Sequence, residues 1–161
     1  CFNTLKNEYP AFGGHYEVVH HSQLIDELVR SERVLLSEDM MKTVAFHDPC
    51  YLGRYNDKYD EPRDALIQLP GLEKLKEMPR SKQTSMCCGA GGGRMWMEEH
   101  IGERINNVRT QEAIDTGAKT VAVGCPFCMT MITDGTKALG KEDDVKVKDV
   151  AELVAECLPD A

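Results

Sequence analysis

Five of the seven cysteines fall in a C…CC…CxxC pattern that is typical of a metal centre. The vicinal pair Cys87 and Cys88 has Cys50 before it and Cys125 with Cys128 after it, and each interval contains 36 residues. Adjacent cysteines suit a multi-iron centre better than one tetrahedral zinc, because neighbouring side chains can then bind different irons. Five thiols also exceed what one zinc or an ordinary four-cysteine cluster requires. The pattern therefore predicts an unusual iron–sulfur cluster.

Four residues beside these cysteines are further candidates for contact with a cofactor. Gly89 and Gly91 follow the vicinal pair and let the backbone turn its N–H groups toward sulfur. Arg94 either balances the negative charge of a cluster or caps a loop. His47 precedes Cys50 closely enough to act as a ligand or proton donor, although a histidine at a strand end more often holds a loop by hydrogen-bonding the backbone, which is the role we favour.

Two other kinds of site use some of the same thiols. A zinc-binding structural or interaction module needs only four of them. The segment Cys125-Pro126-Phe127-Cys128 follows a predicted strand and opens a predicted helix, where a dithiol oxidoreductase carries its redox motif. Such an oxidoreductase has no use for three further thiols at matched spacing, so we rank the iron–sulfur interpretation first.

Composition and charge narrow the classes of partner and compartment. The net charge is −8 and the isoelectric point is near 5.1, which argues against binding to a nucleic-acid backbone. The sequence shows neither a signal peptide nor an apolar run near the roughly 18 residues of a membrane span, so we expect no direct span in this chain. An odd number of cysteines, grouped as ligands, favours a reducing, cytoplasmic location, with any membrane association supplied by the parent complex.

Alternating strand and helix patterns indicate the elements that would position the cysteines. They predict an α/β fold, a Rossmann-like three-layer domain with a small, mainly parallel sheet. Residues 1–42 would supply a first strand and helix, and residues 43–161 the metal-binding part of the same domain. The predicted strands are 16–20, 43–46, 72–78, 120–123 and 145–148; the predicted helices begin near Ser22, Pro62, Ile101, Pro126 and Asp149.

Parallel strands also explain how cysteines far apart in sequence meet. Cys50 and Cys125 each come directly after a predicted strand, and the carboxyl ends of parallel strands form one edge of a sheet. The vicinal pair precedes a helix and reaches the same edge through its loop. Pro126 suits a first helical position, which places Cys125 at the N-cap, where free amides favour anionic sulfur.

The arrangement Cys50…Cys87-Cys88-Gly89…Cys125-x-x-Cys128 resembles the CCG cysteine-rich domain, and the resemblance covers roughly Thr43 to Leu158. This domain occurs, usually twice, in the B component of heterodisulfide reductase and in its membrane-bound D counterpart. It also occurs in glycolate oxidase and lactate-utilisation iron–sulfur subunits, and in an iron–sulfur oxidoreductase linked to electron-transfer flavoprotein. The words His47-Asp48-Pro49-Cys50 and Cys88-Gly89-Ala90-Gly91-Gly92-Gly93 also look like that family.

The resemblance implies a noncubane [4Fe–4S] cluster with the five matching cysteines as ligands, and electron transfer or disulfide reduction as the activity. It also implies that the opening Cys1–Lys6 is the tail of a preceding CCG repeat, so that this chain is the second repeat of a larger protein. The expected partners are that preceding repeat and flavoprotein or other iron–sulfur subunits. In that family two clusters act at the face between repeats, so we expect one repeat alone to be inactive and an aerobic sample to lose its metal.

Overall fold

Four parallel strands form the central sheet of this protein in a computed structural model, which describes residues 1–37 and 42–159. The strands are β1 (Lys42–Phe46), β2 (Leu72–Lys76), β3 (Thr120–Val123) and β4 (Lys146–Asp149). Their order across the sheet is β2-β1-β3-β4, and every neighbouring pair is parallel. The chain therefore winds in opposite directions from the two central strands, β1 and β3, which makes the gap between their carboxyl ends the switch point of the sheet.

Five α-helices connect and cover the strands, and four shorter helical turns lie between them. The α-helices are α1 (His21–Arg30), α2 (Glu61–Ile67), α3 (Ile105–Asp115), α4 (Pro126–Ala138) and α5 (Val150–Ala155). The shorter turns are Thr4–Glu8, Tyr9–Phe12, Lys82–Thr84 and Gly91–Trp96. In the described part of the chain, no helix is both long and apolar enough to cross a membrane.

The sheet separates two hydrophobic cores, which confirms the predicted three-layer α/β architecture. Alternate residues of β1 point to opposite cores, as strand geometry requires. The first core lies under α1, α2 and α5 and includes Val44, Phe46, Leu66, Leu153 and Cys157. The second core lies under α3 and α4 and includes Ala45, Val121, Val123, Cys88, Cys128 and Ile132. Two candidate ligands are thus part of the second core.

Helices α3 and α4 approach each other closely at Gly135. A Cβ at this position would lie 2.1 Å from the Thr110 hydroxyl and 3.1 Å from the Asn106 carbonyl oxygen, so only glycine allows this spacing. The Asn106 side chain in turn donates a 3.1 Å hydrogen bond to the Met131 carbonyl. This contact fixes the helix that carries Cys128 against the helix that follows the vicinal pair.

Most of the predicted elements are confirmed, but the first strand is wrong. Residues 16–20 form no strand, the side chains of Tyr16 and Val19 are exposed, and the sheet order gives them no neighbouring strand. His20 instead serves as the N-cap of α1, two residues before the predicted Ser22, through a capping box with Gln23. The remaining part of the predicted segment 1–42 includes residues 38–41, which lie outside the described residues.

Two apolar stretches between the vicinal pair and α3 are also misplaced by sequence reasoning. Ile101 is exposed and precedes α3, which begins at Ile105 after an extended N-cap. Trp96 and Met97, expected to pack in the core, are 82% and 59% exposed. The glycines before them place this segment at the surface, where Trp96 lies at the mouth of the site described below.

Candidate metal centre

The structure brings all five candidate cysteines to one cavity at the switch point of the sheet. Cys50 follows β1 after a three-residue turn, and Cys125 follows β3 as the N-cap of α4. Cys128 lies in the first turn of that helix. Cys87 and Cys88 arrive from the segment between β2 and α3. The meeting of three remote segments follows from the carboxyl edge of a parallel sheet, where ligands collect in this class of fold.

Hydrogen bonds between thiols connect the five sulfurs in one continuous chain. The Cys50 and Cys88 thiols both bond to Cys87, and Cys128 bonds to both Cys88 and Cys125. The Gly89 backbone N–H donates a further 3.3 Å hydrogen bond to the Cys87 sulfur. No two of these cysteines are joined by a disulfide. The arrangement therefore presents reduced thiols as a single donor set.

The cavity beside these sulfurs has a volume of about 450 Å³. That volume lies in the range of small-molecule and cofactor sites, roughly 300–1,000 Å³. All five cysteines line it, with a rim of aromatic and glycine residues: Tyr51, Tyr55, Trp96, Phe127 and Gly91–Gly93. The thiols therefore form the floor of a cavity with an apolar entrance, large enough for a polynuclear group.

Two cysteines of the chain favour the thiolate form. Hydrogen bonds from the Cys50 and Cys88 thiols, assisted by the Gly89 amide, hold the pKa of Cys87 well below its usual range. The hydrogen bond from Cys128, together with backbone N–H groups at the start of α4, lowers the pKa of Cys125 to about 6. Both positions follow the expected preference of anionic sulfur for free amides at a helix N-terminus or glycine turn.

The other three thiols favour the neutral form because of those neighbours. The hydrogen bond to Cys87, and then burial, raise the pKa of Cys50. Although the hydrogen bond from Cys128 favours the thiolate of Cys88, its bond to Cys87 and its burial raise the pKa to about 11. Hydrogen bonds to Cys125 and Cys88 raise the pKa of Cys128 well above the ordinary value. Full deprotonation of the set therefore requires positive charge among the sulfurs, as a metal group supplies.

His47 lies on the buried side of this sulfur set. One of its ring nitrogens and the sulfurs of Cys88 and Cys128 all lie within 4.8 Å of one another. Its Nδ1 accepts a 3.0 Å hydrogen bond from Arg109 Nε, while Nε2 has no hydrogen-bond partner among the described atoms. Burial, and then the Arg109 charge, lower the pKa of His47 to about 3, so the ring is neutral. It does not have the backbone hydrogen bond that we favoured from sequence.

A buried ion-pair network holds the loop that presents Cys50. Arg63 on α2 donates two hydrogen bonds to Asp48, at 2.7 and 2.9 Å, and two to Glu77, at 2.6 and 2.8 Å. Asp48 also accepts the Lys82 backbone N–H at 2.8 Å. The network therefore ties the turn between β1 and Cys50 to the segment that leads into the vicinal pair.

The remaining candidates from the sequence take different places. Gly89 touches the site through its amide, and Gly91 lines the cavity beside Cys87. Arg94 instead forms an ion pair with Glu99 and lines a separate small pocket. Among the described residues that line the sulfur cavity, Arg54 is the cationic side chain. Arg94 was placed near the cysteines only by its closeness in sequence.

A family comparison agrees with this site. The model of the CCG cysteine-rich domain matches residues 44–133, which include all five cysteines. The chain belongs to the CCG cysteine-rich domain family. This confirms the resemblance stated from the cysteine pattern.

Relatives of this CCG domain chain carry iron–sulfur and oxidoreductase names. It is 51% identical to the probable iron-sulfur-binding oxidoreductase FadF of Bacillus subtilis, over 97% of the chain and 22% of the relative. It is 41% identical to the EtfAB:quinone oxidoreductase of Syntrophomonas wolfei, over 95% of the chain and 22% of the relative. It is 36% identical to the D component of the dihydromethanophenazine:CoB–CoM heterodisulfide reductase of Methanosarcina barkeri, over 98% and 39%. The chain thus spans between a fifth and two fifths of these relatives.

Three residues that shape this CCG site were missed by sequence reasoning: Asp48, Arg63 and Arg109. Arg109 carried a weak signal, since it stands four residues from both Ile105 and Ala113 on the inward stripe of α3. A charged residue at such a position requires a buried partner, but the sequence does not say which.

Proposed function

We propose that this chain binds a noncubane [4Fe–4S] cluster through Cys50, Cys87, Cys88, Cys125 and Cys128. The observation that carries the proposal is the continuous chain of five sulfurs on the floor of one cavity. A single zinc takes four ligands, so five thiols in contact suit a centre with several metal positions. An iron–sulfur cluster bound here would supply one-electron redox chemistry at a potential set by its surroundings.

The residues of the site perform the tasks that such a group requires. Cys88 and Cys128 are 3% and 2% exposed and would keep their side of the cluster away from water. Cys50, Cys87 and Cys125 are half-buried and face the open side, where a redox partner has access. The rim residues Trp96 and Phe127 would further limit the entry of solvent.

We infer that the chain serves in electron transfer as part of a larger, multi-subunit oxidoreductase. The names of its relatives and the fraction of their length that it spans support this inference. Its partners would be a preceding CCG repeat and flavoprotein or other iron–sulfur subunits, with residues 1–42 and 43–161 folding together as the second repeat. A reducing cytoplasmic compartment suits the thiol site, and the isolated domain would show little turnover.

Anaerobic reconstitution with ferrous iron and sulfide tests the cluster. We expect broad visible absorption and about four iron and four sulfide per chain. Serine variants of each of the five cysteines should lower the iron content. Cys157→Ala is the matched control, because Cys157 is buried in the opposite core and should leave the iron content unchanged. A colourless wild-type chain under these conditions, or equal iron loss in the control, contradicts the proposal.

A zinc-binding module is the second candidate, and the closeness of His47, Cys88 and Cys128 favours it. With Cys125 added, these residues offer the four donors of a structural zinc site. It leaves Cys50 and Cys87 unused, however, although they are part of the same sulfur chain. A protein that binds about one zinc per chain and resists reconstitution with iron would favour this candidate.

A dithiol oxidoreductase is the third, favoured by the unequal pair in α4. Cys125 is half-buried with a pKa near 6, and Cys128 is buried and neutral, as in redox motifs at helix N-termini. Reduction of a protein disulfide by the metal-free chain, abolished by Cys125→Ser but unaffected by Cys50→Ser, would support this function. Turnover that requires Cys50 as well would not.

A further inference from the structure

A buried arginine fixes the orientation of the histidine behind the sulfur set. Arg109 has no exposed side-chain surface and donates to His47 Nδ1 through Nε at 3.0 Å. Its Nη1 donates to the Arg80 carbonyl at 2.8 Å and to Glu112 at 2.7 Å. The Glu112 carboxylate balances the guanidinium charge. Arg109 is therefore held in one position by groups on its own helix and on the segment after β2.

This contact decides which ring nitrogen of His47 carries the proton. A guanidinium has only donors, and it stays protonated in proteins, so the nitrogen that faces it must offer a lone pair. In a neutral imidazole the proton then lies on the other nitrogen. For His47 that nitrogen is Nε2, which has no partner among the described atoms. The structure thus holds a buried N–H group whose hydrogen bond is unmade, which costs free energy unless a ligand accepts it.

The sulfur set provides the acceptor. The sulfurs of Cys88 and Cys128 lie within 4.8 Å of a His47 ring nitrogen, and His47 Nδ1 is already engaged by Arg109. We propose that His47, oriented by Arg109, is not a metal ligand but a hydrogen-bond donor, through Nε2–H, to sulfur of the bound cluster. This inference rests on the proposed cluster and assigns a positioning role to Arg109, which touches the site only through His47.

A donor of this kind changes the redox behaviour of the centre in a known direction. Reduction makes the cluster and its thiolates more negative, so an N–H donor stabilises the reduced state more than the oxidised one. Loss of the donor should therefore lower the midpoint potential. We expect the equilibrium constant for reduction to fall about tenfold, which is ~59 mV for a one-electron couple.

Spectroelectrochemical titration of three reconstituted variants tests this role. His47→Leu removes both nitrogens and should lower the potential. His47→Gln keeps an amide oxygen for Arg109 and an N–H for sulfur, and should restore most of the shift. His100→Gln, at an exposed histidine outside the site, should have no effect. A His47→Leu protein with the wild-type potential, or a His47→Gln protein as low as the leucine variant, would overturn the inference.

Wild-type protein supplies a second test that no folding defect can obscure. Pulsed EPR of the cluster with ¹⁵N-histidine should show one weakly coupled nitrogen and a proton that exchanges in D₂O. A strongly coupled nitrogen without that proton would make His47 a ligand and overturn the inference. Nitrogen NMR of the metal-free chain should show the His47 proton on Nε2, and a proton on Nδ1 would exclude the Arg109 contact. Failure of wild type to bind any cluster would instead refute the proposed function.

Discussion

At the scale of single residues, the five cysteines of the site differ although their sequence pattern treats them alike. Cys88 and Cys128 are buried in the core under α3 and α4, whereas Cys50 lies at the open side of the cavity. Thiolate character is concentrated at Cys87 and Cys125, which are the two positions that receive backbone amides. We infer that these two thiols would contact incoming iron first, since the thiolate is the form that binds metal.

The turn after the vicinal pair depends on Gly89 rather than Gly91. Gly89 has φ +95°, and a Cβ there would lie 3.2 Å from the Asn106 amide nitrogen. Gly89→Ala should therefore destabilise the chain by about 1–2 kcal/mol and lower iron uptake, because the turn that directs its amide to Cys87 is strained. Thermal unfolding of the metal-free chain and iron content after reconstitution measure the two effects.

Gly91→Ala is the control for this comparison. Its φ is not positive, and an added Cβ would meet only the Cys87 sulfur, at 4.0 Å. We expect a change in stability within about 0.5 kcal/mol. If both alanine variants behave alike, the left-handed turn at Gly89 does not shape the site.

The sequence predicted which cysteines meet but not what holds them. Strand ends at Phe46 and Val123 made the convergence of Cys50 and Cys125 readable from hydrophobic patterning. The supporting charges were not readable, because pairs such as Arg63 with Asp48 join elements whose relative placement depends on the folded sheet. Arg94 shows the reverse error, since closeness in sequence placed it at a site that it does not line.

At the scale of elements, Arg63 connects α2 to the loop after β1 and to the end of β2. Its side chain is 6% exposed, and Asp48 beneath it is 2% exposed. Arg63→Met should destabilise the chain by roughly 3–5 kcal/mol, because a buried carboxylate then loses its partner. Urea denaturation of the metal-free protein measures the change. We also expect weaker cluster retention, since Cys50 follows Asp48 by two residues.

Arg30 offers a matched control for this prediction. It also contacts two carboxylates, Asp26 and Asp64, but its side chain is 57% exposed. Arg30→Met should therefore cost no more than about 1 kcal/mol. A similar loss in both variants would mean that burial of the Arg63 pair is not what stabilises the loop.

The elements that sequence reasoning predicted well are those whose pattern is set by complete burial. β1 and β3 read as apolar runs because helices cover both faces of the sheet. The same reasoning failed for residues 16–20, where a run of β-branched and aromatic residues has no strand to pair with. Strand propensity describes a fit to a pleated surface, and here that surface is absent from the described fold.

At the scale of the whole molecule, the N-terminal segment is fastened to the metal-site edge of the sheet. His20 Nε2 donates a 3.1 Å hydrogen bond to the carbonyl of Gly124, the residue before Cys125. The Phe2 ring packs edge-on against His20, with ring centroids 5.4 Å apart. Asn7 donates a 2.9 Å hydrogen bond to Asn56 in the loop after Cys50. The first turns of the chain therefore contribute to the position of two loops that carry thiols.

This fastening makes the stability of the metal-free chain depend on pH through His20. Burial, and then the neighbouring His21, lower the pKa of His20 to about 4, against about 6.5 in an unfolded chain. Between these values the unfolded state binds the extra proton, so the free energy of unfolding falls as the pH falls from about 6.5 toward about 4. The slope due to this residue approaches ~1.4 kcal/mol per pH unit.

The variant His20→Asn isolates this contribution. Asparagine keeps a side-chain acceptor for the N-cap of α1 but does not titrate. The difference in unfolding free energy between wild type and variant, measured by urea denaturation at several pH values, should therefore narrow in the variant's favour as acid is added. His100→Asn, at an exposed histidine, should run parallel to wild type. A His20→Asn curve that also runs parallel would show that the ring is not buried as a neutral donor, and that Gly124 is positioned by other contacts.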